Sequence, residues 1–341
     1  MSVFLLKVSK NMKINKRALI CSAFLGAGLI SSQAFSQTVR MDFSNEYNAN
    51  SIHAQGDAYF IERVKELSGG SINITLHTGG ALGFNSGDHF YAVADGAVEI
   101  ADTLSGTMSG IDPIFLLSSL PFVVNGVDEA RRLYEIAKPY YEAIFEESDQ
   151  ILLYASPWPP SGVWSKTAID SQTDLRNLRI RTFDRNGTET FRNVGASPVS
   201  LSWGDVVPQL ATGGISAVLT SAEAGANASF WEHQNYFSAI QYAIPLNMVH
   251  MNKDSFERLS DDEQAAIMEA ARLTDTHNWA AVETRTEENY QVLSEYQVTL
   301  NDPVSDELIE ALSEAAASVV ENWLESTGER GMTILSQFRG E

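Results

Sequence analysis

The chain has 341 residues, 44% of them hydrophobic, enough to bury two cores of ordinary size and to exclude global disorder. Its formal charge is −21, and no basic run exists beyond the N-terminal segment, which excludes nucleic-acid binding because phosphate contacts need clustered Lys and Arg.

At the N-terminus, Lys13, Lys16 and Arg17 precede an apolar run from Ala18 to Ile30, and Ala34-Phe35-Ser36 supplies the small residues of a cleavage site. The run is too short to span a membrane, so residues 1–36 read as a secretory signal peptide and the mature chain as periplasmic. Met12, directly before the basic segment, is a candidate start alongside Met1. Removing the five basic residues of this segment from the total of 23 leaves 18 against 44 acidic residues, a net charge of −26. Cys21, the sole cysteine, falls inside the segment, and Ile20 before it is not the small residue of a lipoprotein signal. The mature fold is therefore expected to be held by its core without disulfides. Excess acid with few lysines fits a saline habitat or simple solubility from net charge.

The mature chain opens on an alternating strand, Val39, Met41 and Phe43, ending in Ser44-Asn45-Glu46-Tyr47-Asn48. A helix from about Ser51 carries Ala54, Ala58, Ile61, Val64 and Leu67 on one stripe and stops at Gly69-Gly70. Ile72 to Leu76 predicts a second strand, Ser86 caps a short helix to Gly96, and Val98 to Thr103 predicts a third strand. This β-α-β-α-β order predicts a parallel sheet with right-handed crossovers. Ile114 to Val124, broken by Pro121, reads as a buried irregular segment; a helix over Val127–Phe145 and a strand over Ile151–Ala155 follow. The Pro/Gly-rich run from Trp158 to Trp164 is the candidate lobe boundary.

The segment Leu175 to Ser221 predicts a second α/β unit. Leu178, Ile180 and Thr182 alternate as a strand; Asp184 to Val194 is a helix closed by Gly195; Ser202 caps a helix to Ala211; Ile215 to Thr220 is a buried parallel strand. Ligands of such sheets bind outside the carboxyl ends of the strands, and Arg181 lies near one such end, Thr220 and Ser221 at another. Ile244 to Met251 is a strand that crosses back to the first lobe. Ser260 caps an uninterrupted helical pattern to about Gln297, whose roughly 38 residues would span about 57 Å and reach across both lobes. A strand near Gln297–Leu300 and a helix over Ser305–Leu324 end the chain.

LRNLRIRTFD followed by GASPVSLSWGDVVPQLATGGISAVLTS resembles the pattern of the DctP-type solute-binding proteins of TRAP (tripartite ATP-independent periplasmic) transporters. LSGGSINITLHTGGALG, SSLPFVV and IPLNMVHMNKDSFERLSDDEQAAIMEAA resemble further segments of that family, so the resemblance covers nearly the whole mature chain. It implies an α/β, two-lobed periplasmic solute-binding fold with a long helix spanning both lobes. The expected division is residues 1–36 signal peptide, 37–158 plus about 245–285 lobe I, and 159–244 plus about 286–341 lobe II. It further implies a receptor, not an enzyme, that binds a small organic acid in the interlobe cleft and, as a monomer, delivers it to the small and large membrane subunits of a TRAP importer. A receptor of an ABC-type importer, which usually lacks one unbroken helix across both lobes, is the alternative; a secreted hydrolase is a more distant one.

By the motif, the arginine that grips the carboxylate is Arg181, and a guanidinium forks bidentately onto a planar carboxylate. A surface strand arginine in a weak ion pair is the other reading of that residue. Three departures stand out: Ser216-Ala217 replaces the usual Val-Asp, Asp184 lies three positions from the clamp, and Ser161 occupies the place of a second arginine found in some members. Asp184 is read as the cap of the helix from Arg185, and Lys166 as the one further cation within reach. The remaining ligand candidates are Phe183, Trp203, Trp158 and Trp164 as an aromatic wall, Thr220 and Ser221 as donors, Asn247 on the crossing strand, and Asn45, Asn48 and His53 after the first strand. The six histidines show no zinc spacing, and no nucleophile elbow, P-loop or dinucleotide fingerprint exists, so neither metal nor cofactor is expected.

Overall fold

The computed structural model of the chain describes residues 38–341. The signal peptide expected over residues 1–36, with Cys21, lies outside the described residues.

The chain begins β1 (Val39–Asn45), α1 (Ile52–Leu67), β2 (Ile72–His77), α2 (Ser86–Ala94), β3 (Ile100–Leu104). Two 3-10 turns, Ser105–Gly110 and Pro113–Ser119, lead to α3 (Val127–Glu147) and β4 (Gln150–Pro157). Then come β5 (Ser161–Ser165), α4 (Gln172–Leu175), β6 (Arg179–Thr182), α5 (Arg185–Asn193), β7 (Ser197–Ser200), α6 (Trp203–Thr212), β8 (Ala217–Ser221), α7 (Ala222–Asn227) and β9 (Tyr236–Ser238). The chain finishes with β10 (Leu246–Asn252), α8 (Lys253–Glu257), α9 (Asp261–Glu295), β11 (Thr299–Asn301), α10 (Asp306–Thr327) and α11 (Glu329–Arg339).

These strands form two sheets, one per lobe. The first has the order β2-β1-β3-β10-β4, the second β11-β9-β5-β8-β6-β7. In the first, β1 pairs in parallel with β2 and β3, as the β-α-β-α-β order requires, while β10 inserts antiparallel between β3 and β4. In the second, β6 lies parallel between β7 and β8. The two sheets are thus stitched together by chain that passes from β4 to β5 and returns from β9 to β10.

The long helix expected after Ser260 is α9. Its 35 residues are opened by a capping box between Ser260 and Glu263, and they extend about 52 Å at 1.5 Å per residue. The helix packs on α1 and β4 of the first lobe and on α7 and β11 of the second. Its buried residues include Ile267, Trp279, Val282 and Leu293, but Thr274, Asn278 and Asn289 are buried with them, so the apolar stripe is interrupted by polar side chains.

Several local expectations shift. Asn85, not Ser86, caps α2: its side chain accepts from Gly87 N at 2.8 Å and Asp88 answers in a capping box. Ser202 occupies the cap position of α6, but its side chain makes no capping hydrogen bond. The bend before α6 contains β7, an edge strand of Ser-Pro-Val-Ser whose exposed residues and proline give no alternating signal. The C-terminal α11 follows Gly328 and places Ile334, Leu335 and Phe338 in the core alongside α3.

The second lobe is packed with little slack around Trp164. This fully buried indole lies 5.6 Å from the Phe230 ring and 5.3 Å from the Phe237 ring, and its Nε1 donates to the Ser221 carbonyl at 3.0 Å. Gly225 on α7 approaches so closely that an added Cβ would sit 2.2 Å from the ring. Alanine at Gly225 gains about 0.5–1 kcal/mol of helix propensity, yet overpacking a rigid core costs about 1–3 kcal/mol or more. The clash wins: Gly225→Ala is expected to lower the denaturant midpoint, and an unchanged or raised midpoint would show that the indole has room to move.

Candidate functional site

The carboxyl ends of β1, β3, β6, β7 and β8 converge on one cavity between the lobes, as parallel sheets dictate. The space is about 680 Å³, part of it open to solvent, a size suited to a small molecule. The first lobe contributes Glu46 and Tyr47 after β1 and Ser86 at the start of α2. The second contributes Arg181, Phe183, Trp203, Thr220 and Ser221, with Trp158 at the junction.

Arg181 sits on β6 with 4% exposure. Its Nε and Nη2 donate to the Leu201 carbonyl at 3.1 and 3.0 Å, which fixes one edge of the guanidinium. Its Cζ lies 5.7 Å from the Trp203 ring centre, within cation–π range. Burial lowers its pKa to about 10, so the group stays charged at neutral pH. Among the described residues it is the only lysine or arginine lining the cavity: Ser161 lines it where a second arginine was looked for, and Lys166 is exposed and away from it.

Facing Arg181 from the other lobe is Glu46, whose carboxylate accepts from the Ser86 hydroxyl. Burial raises its pKa, while the Ser86 bond and the positive charge of Arg181 act against that rise. Glu46 escaped the sequence reading because a one-residue parity decides the matter. Side chains alternate at a strand end, so Asn45 turns into the first lobe while Glu46 turns to the cavity.

Six predicted residues line the cavity: Arg181, Phe183, Trp203, Trp158, Thr220 and Ser221. The Trp158 indole is held by Nε1 donating to Asn247 Oδ1 at 2.8 Å, and its ring packs edge-on to Tyr47 at 5.0 Å. Ser221 is partly committed, its hydroxyl accepting from Ala224 N at 3.1 Å as the cap of α7. The other five predicted residues do not reach the cavity. Trp164 lies on the opposite face of β5 from Ser161, in the core described above. Asn247 is fully buried beneath the site, bonded to Trp158 and, through Nδ2, to Asp102 Oδ1 at 2.7 Å. Asn45 donates to Asp57 at 2.7 Å and to Asp102 at 3.2 Å. His53 packs behind Trp158, its ring tilted at 56° with ring centres 4.0 Å apart, and bonds Ser156, and burial lowers its pKa to about 3, leaving it neutral. Asn48 is exposed and donates to the Asn227 carbonyl at 2.9 Å.

Asp184 caps α5, accepting from Gly187 N at 3.0 Å, as its position before Arg185 led us to expect. It stands outside the cavity, and burial raises its pKa to about 6. Ser216, in place of the usual acid, bonds the Arg179 carbonyl at 3.2 Å and takes no part in the site.

Below Trp158 lies a buried acid pair. Asp57 and Asp102 share Asn45 as donor, Tyr154 donates to Asp57 at 2.8 Å, and burial raises the pKa of both, Asp102 to about 7. The folded state favours the protonated form, so this contribution to stability is fully present below about pH 4, the ordinary aspartate range, and is lost as pH rises through about 7. Asp102→Asn is therefore expected to flatten the fall in stability between those limits in denaturation measured across pH. An identical slope in the variant would rule out the pair as its source.

The fold and this cavity are those of a two-lobed solute-binding protein. The family model of bacterial extracellular solute-binding proteins, family 7 (DctP), matches residues 43–327, and the chain belongs to that family, the solute-binding proteins of TRAP transporters. Among its relatives is the ectoine-binding periplasmic protein TeaA of Halomonas elongata, 25% identical over 95% of this chain and 96% of that one. Among solved structures, DctP6, a Bordetella pertussis extracytoplasmic solute receptor binding pyroglutamic acid, is 26% identical with a TM-score of 0.86, covering 89% of this chain and 100% of that one. A marine-metagenome TRAP solute-binding protein specific for pyroglutamate is also 26% identical, with a TM-score of 0.85 over 89% of this chain and 100% of its own.

Proposed function

We propose that the cavity takes a small cyclic carboxylate that also carries an N–H donor, of the kind that ectoine and pyroglutamate represent. The observation behind this reading is the pairing of Arg181 and Glu46 on opposite walls of one aromatic cavity. A carboxylate satisfies the free edge of the guanidinium, and a ring N–H satisfies the carboxylate of Glu46. A ring held between them lies against Tyr47, Trp158, Phe183 and Trp203, which suits a compact heterocycle better than a sugar acid with hydroxyls on every face. The relatives that bind ectoine or pyroglutamate support the same class.

On this reading the protein is exported to the periplasm by a cleavable signal peptide, closes on its ligand by hinge motion and hands it, unchanged, to the small and large membrane subunits of a TRAP importer. Isothermal titration with ectoine, pyroglutamate, cyclopentanecarboxylate and glucuronate tests it. Tight binding is expected for one of the first two, with the ring acid lacking N–H weaker than it; preference for the uronate contradicts the reading.

A further inference from the structure

Glu223 is a glutamate with no exposure, in the second position of α7, outside the cavity. Its Oε1 accepts the backbone N–H of Ile52 at 2.9 Å and the amide of Asn227 at 2.6 Å. Its Oε2 accepts from Asn289 Nδ2 at 2.7 Å and lies 3.8 Å from Arg285 Nε. The partners come from both lobes. Ile52 is the first residue of α1, in the first lobe, while Asn227 belongs to α7, in the second, and Asn289 and Arg285 belong to the spanning helix α9. A second bond beside it, from Asn48 Nδ2 to the Asn227 carbonyl at 2.9 Å, joins the β1–α1 loop to the end of α7.

Both partners of this contact continue directly from the cavity walls. The segment from β1 to α1 holds Glu46 and Tyr47; the end of β8, which runs straight into α7, holds Thr220 and Ser221. Opening the lobes strips the Ile52 N–H of its acceptor and takes the Glu223 carboxylate away from the positive end of α1, whose first turn contains no acid of its own. Glu223 also cannot be explained as a ligand contact, because it does not line the cavity.

We infer that Glu223 is an interlobe latch: by capping α1 from the opposite lobe it holds the cleft shut and sets how slowly the ligand leaves. This rests on the cavity being the ligand site. Glu223 is a positioning residue, so its removal acts on release rather than on encounter.

Ile52→Pro deletes the donor, since the first position of a helix accepts proline and Ser51 already has the extended backbone, ψ 150°, that precedes one; because Ile52 is itself buried, Ile52→Ala, which keeps the N–H, is the control for lost packing and is expected to release at the wild-type rate. Glu223→Gln removes the charge at constant shape. With pyroglutamate or ectoine as probe, whichever binds, dissociation read by tryptophan fluorescence is expected to quicken about tenfold in Ile52→Pro and in Glu223→Gln, the scale of one charge-assisted hydrogen bond, with the association rate unchanged. The double variant is expected to be no faster than the faster single one. Spin labels at Tyr91→Cys and Val199→Cys, exposed on opposite lobes, are expected to show a smaller closed fraction in both variants. Wild-type release rates and closed fractions, or single effects that simply add, overturn the latch. If neither probe binds the wild type, the ligand reading fails by itself, and the closed fraction without ligand then decides the latch: lower in the variants supports it, equal overturns it.

Discussion

Replacing Arg181 with alanine is expected to weaken carboxylate binding by about 2–5 kcal/mol, roughly 30-fold to several-thousand-fold, because it leaves a buried ligand charge without its partner. The magnitude follows from where the guanidinium sits. It is 4% exposed, so solvent cannot replace it at low cost, and the Leu201 carbonyl fixes its orientation before a ligand arrives. Ser161 and Lys166 supply no second charge at the cavity, so nothing compensates. Arg181→Lys keeps a charge but loses the fork and the bond pair to Leu201, and should recover only part of the affinity. Calorimetry on the three proteins checks the order; equal affinity in wild type and Arg181→Ala contradicts the clamp.

Glu46→Gln is expected to change selectivity as well as affinity. A ligand N–H loses a charged acceptor, at a cost of about 1.5–3 kcal/mol, while a ring acid without N–H gains because a like charge has been removed from its cavity. Opposite signs for the two ligands are a sharper result than weakening alone, which any damage to the site produces. The raised pKa of Glu46 adds a pH signature. The N–H ligand needs the ionised carboxylate, so its affinity should fall on acidification at a higher pH than an ordinary glutamate imposes, and the fall should vanish in Glu46→Gln. Titrations of both ligands across pH check this; the same sign for both in the variant argues against an N–H acceptor.

Most of the architecture was legible in the sequence because it rests on period and punctuation. The uninterrupted pattern after Ser260 became α9, and the strand ending near Arg181 placed its guanidinium in the cavity. Capping identified Asp184, whose short acid fits a cap better than a ligand contact. What failed was parity and distance. Asn45 and Trp164 are on the right strands but face away from the cavity, and a strand reading without its register cannot tell one face from the other; Asn247 lies beneath the lining, under Trp158. His53 lies one layer too deep, behind Trp158. The acid pair Asp57–Asp102 and the contact of Glu223 with Ile52 join residues that only the fold brings together, the latter 171 positions apart. β7 gave no signal because an edge strand with exposed serines has no apolar face to reveal.

The central claim is that one small acid bridges Arg181 and Glu46 across the cleft. The crystal structure of the protein with pyroglutamate or ectoine, whichever calorimetry selects, tests it most directly. The account predicts the ligand carboxylate within hydrogen-bond distance of the Arg181 guanidinium and a ring N–H on the Glu46 carboxylate, with the ring against Trp203 and Trp158. A ligand seated elsewhere, or one whose carboxylate turns away from Arg181, would contradict it.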